Sequence, residues 1–298
     1  MARKRVLLID GENILHQSFH KFEKLRSTDG KPSGAIFGFF KSLHMYLERF
    51  NPDDVYITFD NGHSPLRDKL LPNYKGHRKN IYYDRESLIK QKMIILKILR
   101  YLRIKYLFDK YKSSEYEGDD FLAYLYFKVL SKEWLITIVS SDKDFNQLLT
   151  NDRVKIFNPR KEEYVRQINC KELFGYTPYE TVDYLSLVGD SSDDIPGVPG
   201  IGPVKARKFL DQWGSISNYI KTNQEVSDKF IEIVTRNRQL IDLKWFIDNN
   251  KLSSTSNILK IYTRGKINYD KFREICIEYS FNSFLTDIFI EPFKKLLR

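Results

Sequence analysis

Short apolar runs rich in β-branched and aromatic residues recur at residues 5–9, 55–59, 104–108, 135–139 and 153–157. Such runs predict buried strands of a parallel sheet. Helical patterns fill the intervals near 34–50, 84–102 and 118–131. Strand and helix in alternation predict an α/β fold, with a Rossmann-like, mostly parallel sheet covered by helices on both faces. The turn after the first run reads Asp10-Gly11-Glu12-Asn13, not Gly-x-Gly-x-x-Gly, so dinucleotide binding is not expected.

The pattern changes near residue 177. Thr177-Pro178-Tyr179-Glu180 combines a threonine N-cap, a proline at the first helical position and a glutamate three residues after the cap, which predicts a helix start. From Gly189 to Pro203, acids give way to glycines and prolines that force tight turns. Pro203 then opens a helix over Lys205-Ala206-Arg207-Lys208-Phe209-Leu210. With 298 residues there is length for two cores. The expected organisation is an α/β domain over 1–176 and a helical region over 177–298.

Acids mark the ends of these elements. Asp10, Asp60, Asp142 and Asp144 follow predicted strands; Glu117, Asp119 and Asp120 open a helix; Asp190 and Asp193 follow the apolar run ending at Val188. Ligands of open α/β sheets gather at the carboxyl ends of strands, so these acids should converge on one edge. Helix capping explains any one of them, but not the set. Two carboxylates about 4 Å apart repel by roughly 4 kcal/mol at an effective dielectric of 20. Divalent cations relieve that repulsion, and oxygen ligands without nearby Cys or His favour Mg2+ or Mn2+ over zinc. His16 and His20 share a helical spacing but have no third ligand nearby, so a solvated helix face is expected.

Charge points to the partner. The chain carries 49 Lys and Arg against 39 Asp and Glu, a formal net charge of +10. With so many acids gathered in one cluster, the remaining surface is more basic still. That field, with frequent Tyr and Phe, suits nucleic acid; an anionic membrane is disfavoured because no basic amphipathic helix appears. Residues 64–92 form a basic strip in which Tyr74-Lys75-Gly76-His77-Arg78 offers a face for base stacking and two cations for a scissile phosphate, with Arg67 nearby. The outer lysines of the strip, among them Lys92, read as a solvated surface. Gly197, Gly200 and Gly202 form a turn at a helix start that can hold a DNA phosphate through backbone N–H groups, with Lys205, Arg207 and Lys208 adding charge. Cys170 and Cys276 are isolated and imply a reducing compartment. The apolar stretch before Asp10 is too short for a signal or membrane segment, so a cytoplasmic protein is expected.

The ordered motifs Leu-Ile-Asp-Gly-Glu-Asn, Phe-Asp-Asn, Tyr-Lys-Gly-His-Arg, Tyr-Glu-Gly-Asp-Asp, Ser-Ser-Asp-Lys-Asp and Gly-Asp-Ser-Ser-Asp-Asp-Ile-Pro-Gly-Val-Pro-Gly-Ile-Gly resemble the 5′ nuclease superfamily. Within it the chain looks similar to bacteriophage flap endonucleases and to the 5′-3′ exonuclease domain of bacterial DNA polymerase I. The resemblance implies a PIN-like sheet with a helical arch over about 64–92 and a C-terminal helix-hairpin-helix. It implies a structure-specific 5′-3′ exonuclease or flap endonuclease, acting at 5′ ends, flaps and nicks of DNA or of RNA-DNA hybrids. Asp10, Asp60, Glu117 and Asp119 would hold one metal ion and Asp142, Asp144, Asp190 and Asp193 a second, with Asp120 completing the cluster. Lys75 and Arg78 would contact the scissile phosphate, and the hairpin would grip duplex with a monovalent cation such as K+. A monomer without membrane partners is implied, in a bacterial or phage-infected cell, acting apart from any polymerase because the chain ends at Arg298. Two other readings are a DNA-binding paralogue without catalysis, which the full acid set disfavours, and a PIN-type ribonuclease, which would lack the glycine hairpin. Gly118 stands where many relatives have Ala, which weakens the helix start by up to about 1 kcal/mol and is expected to touch no ligand.

Overall fold

The computed structural model describes residues 3–60, 62, 64–76, 84–108, 116–250 and 267–296. Strand β1 (Arg5–Asp10) leads into helix α1 (Gly11–Lys21), followed by α2 (Gly34–Phe50) and β2 (Asp54–Thr58). Helices α3 (Pro65–Leu70) and α4 (Arg85–Tyr101) precede β3 (Lys105–Leu107). Helix α5 (Gly118–Tyr124), β4 (Leu135–Val139), β5 (Val154–Asn158) and β6 (Glu163–Val165) complete the sheet. Its order is β3-β2-β1-β4-β5-β6, with every pairing parallel except the last. The order reverses direction at β1, and a crevice opens between β1 and β4, where such sheets bind ligands.

Parity along the strands builds two cores. Val6 and Leu8 of β1 face a cluster that includes Phe121, Leu122, Ile136 and Ile138, whereas Leu7 and Ile9 face one that includes Leu15, Phe39, Ile57 and Leu99. Burial on both sides is why these strands read as unbroken apolar runs, each such side chain contributing roughly 1.5–3 kcal/mol. The predicted helix over 118–131 is α only to Tyr124; Leu125–Val129 continues it as a π-helical turn.

The helical region is not a single unit. Helices α6 (Cys170–Phe174), α7 (Thr181–Val188), α8 (Pro203–Trp213), α9 (Ile216–Thr222), α10 (Asp228–Ile241) and α11 (Leu243–Asn249) follow the sheet. Leu185, Leu240 and Ile247 from this group join the Val6/Leu8 core. The last helices, Tyr269–Glu278 and Asp287–Lys295, pack elsewhere: Phe272, Phe284, Phe289 and Phe293 join the opposite core beside α2. His44 of α2 stacks on Phe289 with centroids 4.8 Å apart. The end of the chain thus packs against the α/β layer on the side opposite α7, α10 and α11. Among the described residues no helix is long and apolar enough to cross a membrane.

Candidate active site

The carboxyl edge around β1 collects the acids. Asp10 ends β1 and also caps α1, accepting from Asn13 N at 2.9 Å and from Ser140 Oγ at 2.8 Å. Ser140 in turn accepts from Asp142 N at 3.0 Å, and Asp142 caps the short helix Lys143–Leu148 by accepting from Asp144 N at 2.8 Å. Asp60, beyond the end of β2, accepts from Gly118 N at 2.7 Å. Glu117 caps α5, which carries Asp119 and Asp120 in its first turn. Asp190 lies in the β-pair formed by Gly189–Asp190 and Ile195–Pro196, accepts from Ser192 N and Oγ at 2.8 and 2.7 Å, and pairs with Lys143 at 3.1 Å.

A lysine sits among these acids. Lys75 Nζ lies 2.7 Å from Glu117 Oε2 and 3.7 Å from Asp193 Oδ2, and its backbone N donates to Asp193 O at 2.9 Å. Tyr74 Oη donates to the same two carboxylates at 3.0 and 3.1 Å. Burial and mutual repulsion dominate elsewhere. Burial, with the charges of Asp60 and Asp142, raises Asp10 to about 7. Burial and Asp193 raise Asp142 to about 6. Asp119 and Asp144 are raised well above the ordinary aspartate value, by burial and then by Asp10 and Asp142 respectively. Glu117 is the exception: burial opposes its ionisation, but Lys75 and Arg67 hold it down at about 2. Asp144 Oδ1 is buried without a hydrogen-bond partner. Among the described residues no three His, Cys, Asp or Glu are arranged to hold an ion as they stand. Hard donors held close against repulsion, with one oxygen orphaned, nonetheless fit divalent cations.

Comparison with known proteins decides the family. Residues 5–175 match the family model for the N-terminal resolvase-like domain of 5′-3′ exonucleases, and residues 176–253 match that for their C-terminal SAM fold. The chain belongs to the 5′-3′ exonuclease family. It is 31% identical over 227 residues to a 5′-3′ exonuclease of Aquifex aeolicus, covering 76% of each chain. It is 32% identical over 231 residues to DNA polymerase I of Bacillus subtilis, covering 76% of this chain but 25% of the polymerase. The fold is shared with the phage T5 5′-exonuclease bound to zinc, at TM-score 0.69 and 20% identity over 93% of this chain and all of that one. Flap endonuclease-1 from Methanococcus jannaschii shares it at TM-score 0.55 and 18% identity, over 99% of this chain and 92% of that chain. As a member of this family the protein is a metal-dependent 5′ nuclease.

Not every residue expected in a 5′-3′ exonuclease site lies where the sequence suggested. Arg67 was expected on DNA, yet it is 2% exposed and grips Asp120 through two 2.8 Å bonds. Its guanidinium lies 3.9 Å over the Phe246 ring and also faces Glu117 at 3.6 Å. Both oxygens of Asp120 are thereby taken up, since Oδ2 also accepts from Glu117 N at 2.8 Å and the residue is wholly buried. Tyr74 is likewise buried and offers no face to a base. Arg67, Asp120 and Phe246 tie α3, α5 and α11 together in the interior, a role a motif cannot distinguish from nucleic-acid contact. Arg78 lies outside the described residues.

The glycine turn divides by position. A Cβ on Gly197 would fall 2.3 Å from Val188 O, and Gly200 has a φ of +80°. Gly202 has a φ of −92° and open space beside it, so neither fold nor packing requires its glycine. Lys205, Arg207 and Lys208 are exposed on α8; Arg207 also reaches Phe174 O at 3.4 Å. Buried Asn237 pins the base of the turn by donating to Ser186 O and Pro196 O at 2.9 and 2.8 Å. Gly118, expected to touch no ligand, approaches Asp60 closely: an added Cβ would sit 3.0 Å from Asp60 Oδ1. The sequence reading also missed Lys92, which is buried within reach of Asp60. Its place on the apolar stripe of α4, between Leu88 and Ile95, was the available signal.

Proposed function

We propose that the carboxyl edge binds two divalent ions, Mg2+ or Mn2+, and hydrolyses phosphodiester bonds at 5′ ends, flaps and nicks of DNA. The observation that carries this is the set of buried carboxylates held in mutual repulsion around the β1/β4 crevice. Asp10, Asp60, Glu117 and Asp119 would hold one ion, and Asp142, Asp144, Asp190 and Asp193 the other. Bound there, the ions would supply water activation and charge stabilisation for hydrolysis to a 5′-phosphate and a 3′-hydroxyl. Ser140, bonded to both Asp10 and Asp142, spans the two groups of acids. Lys75 keeps an ammonium beside Glu117 and Asp193, where it can stabilise charge on a transferring phosphate, with Arg78 as its partner. The exposed hairpin, with Lys205 and Lys208, would bind duplex phosphates away from the cut, with K+ as the expected cation of the turn. A monomer acting on DNA or RNA-DNA hybrids completes the reading.

The test uses 5′-labelled flap, nicked duplex and single strand, each with Mg2+ or EDTA. Metal-dependent release of short 5′ fragments from flap and nick supports the proposal. Equal cleavage in EDTA, or cleavage confined to single-stranded RNA, would overturn it.

A further inference from the structure

Lys92 shares the buried face of α4 with Leu88, Ile95, Leu96 and Leu99 and is itself 8% exposed. An ammonium there loses its hydration unless partners replace it. Two do so. Nζ lies 2.6 Å from Glu12 Oε2 and 2.7 Å from the main-chain oxygen of Asp60. The rings of Phe59 and Phe108 stand 5.5 and 5.0 Å from it. Glu12 is held ionised: burial would raise it, but the Lys92 ammonium and His16, 3.5 Å away, bring it down.

What this pair touches determines its role. Strand β2 ends at Thr58, paired with Asp10, and Phe59 N still reaches Leu107 O at 2.9 Å. Asp60 lies one residue further on, and its direction is set by two helices. From α5, Gly118 N donates to its carboxylate; from α4, Lys92 donates to its carbonyl. The carboxylate is thus restrained on both sides of its own Cα. Helix α4 is also the downstream helix of the basic strip, so the same ammonium ties that strip to an acid of the site.

We infer that Lys92 and Glu12 are a positioning pair: Glu12 orients Lys92, and Lys92 holds the Asp60 main chain so that its carboxylate stays aimed into the metal-binding edge. This rests on the two-metal reading above. Lys92 acts through Asp60 and touches no reacting atom.

The sign of one effect separates this role from bare electrostatics. Removing a cation beside a dication site strengthens metal binding if charge alone matters. Loss of positioning weakens it. We therefore expect Lys92→Met, which keeps the stem but removes the charge and donors, to bind Mn2+ about tenfold more weakly in DNA-free protein, the scale of lost outer-shell support. Titration calorimetry reads that affinity. The single-turnover rate at saturating Mg2+ should fall about tenfold as well, with flap affinity unchanged. Lys92→Arg should recover most of both losses. Glu12→Gln leaves the Lys92–Asp60 bond in place and should weaken Mn2+ binding only about threefold, a fraction of the outer-shell effect. Unchanged or tighter Mn2+ binding by Lys92→Met would overturn the inference and leave a structural ion pair. If Lys92→Met does not fold, Lys92→Leu decides by the same sign: weaker Mn2+ binding than wild type supports the inference, and unchanged or tighter binding overturns it. Wild-type protein that binds no Mn2+ and cleaves in EDTA would instead overturn the two-metal reading.

Discussion

The carboxyl edge and the glycine turn are both made of short residues at the ends of elements, yet they are held in opposite ways. At the edge three of the acids are placed by groups remote in sequence: Asp10 by Ser140, Asp60 by Gly118, Glu117 by Lys75. In the turn the restraints are mostly local, such as Ile201 N to Val198 O at 3.0 Å and Ala206 N to Gly202 O at 3.0 Å. The edge stores repulsion that an external cation relieves; the turn stores none. Substitutions at the edge should therefore trade activity against stability, whereas substitutions in the turn should weaken grip and leave the chemistry alone.

The largest expected effect is at the edge. Asp142→Asn should lower the cleavage rate by about a thousandfold or more, the upper range for loss of one electrostatic group. Because it also removes a buried charge, the thermal midpoint of the variant in EDTA should rise above wild type. A fall there would break the claim of stored repulsion.

Arg67→Ala leaves Asp120 buried without its partner and should destabilise the fold by about 3–5 kcal/mol in urea denaturation. Wild-type stability with weakened DNA binding would return Arg67 to the nucleic-acid surface. Lys75→Ala should lower the single-turnover rate by about a hundredfold while DNA affinity holds. The reverse pattern would make Lys75 an ordinary phosphate contact.

The pH dependence follows from the same groups. Asp10 and Asp142 rise from 3.8 to about 7 and about 6, so the metal-free fold holds protons that the unfolded chain releases. Stability should fall as pH rises from about 4 to about 7, by a few kcal/mol in total. The lowered pKa of Glu117 acts below its ordinary 4.5, so its opposite slope reaches only the acid edge of this window. Saturating Mg2+ should abolish the slope, because the metal replaces those protons. Denaturation curves in EDTA and in Mg2+ across that range measure it.

The smallest effects sharpen the other side of the comparison. Gly200→Ala must adopt a φ near +80° and should cost about 1 kcal/mol, weakening long-duplex binding about fivefold and leaving cleavage of a single-stranded substrate unchanged. Gly202→Ala should fold without cost; reduced duplex affinity there, over a salt series, would show that a phosphate approaches that position.

The legible parts of the molecule are those in which a short stretch of chain carries its own physical constraint. The strands at β1, β2, β4 and β5 were readable because parallel strands buried on both faces must be apolar at every position. The acids were readable because they stand where those runs stop. The glycine turn was readable because backbone angles are a local property. Which polar residue faces water and which faces the interior was not local. Arg67 and Tyr74 sit in a basic, aromatic stretch that matches a nucleic-acid surface, and only the arrival of Asp120, Glu117 and Phe246 from distant segments turns them inward. Where the final helices pack was not local either, because an amphipathic stripe announces that it will be buried, not against what. The sequence alone determined the main strands, their order and the acids that stand at their ends. The tertiary structure decided which charges neutralise one another, because a buried charge is stable only beside a partner that the linear chain does not name.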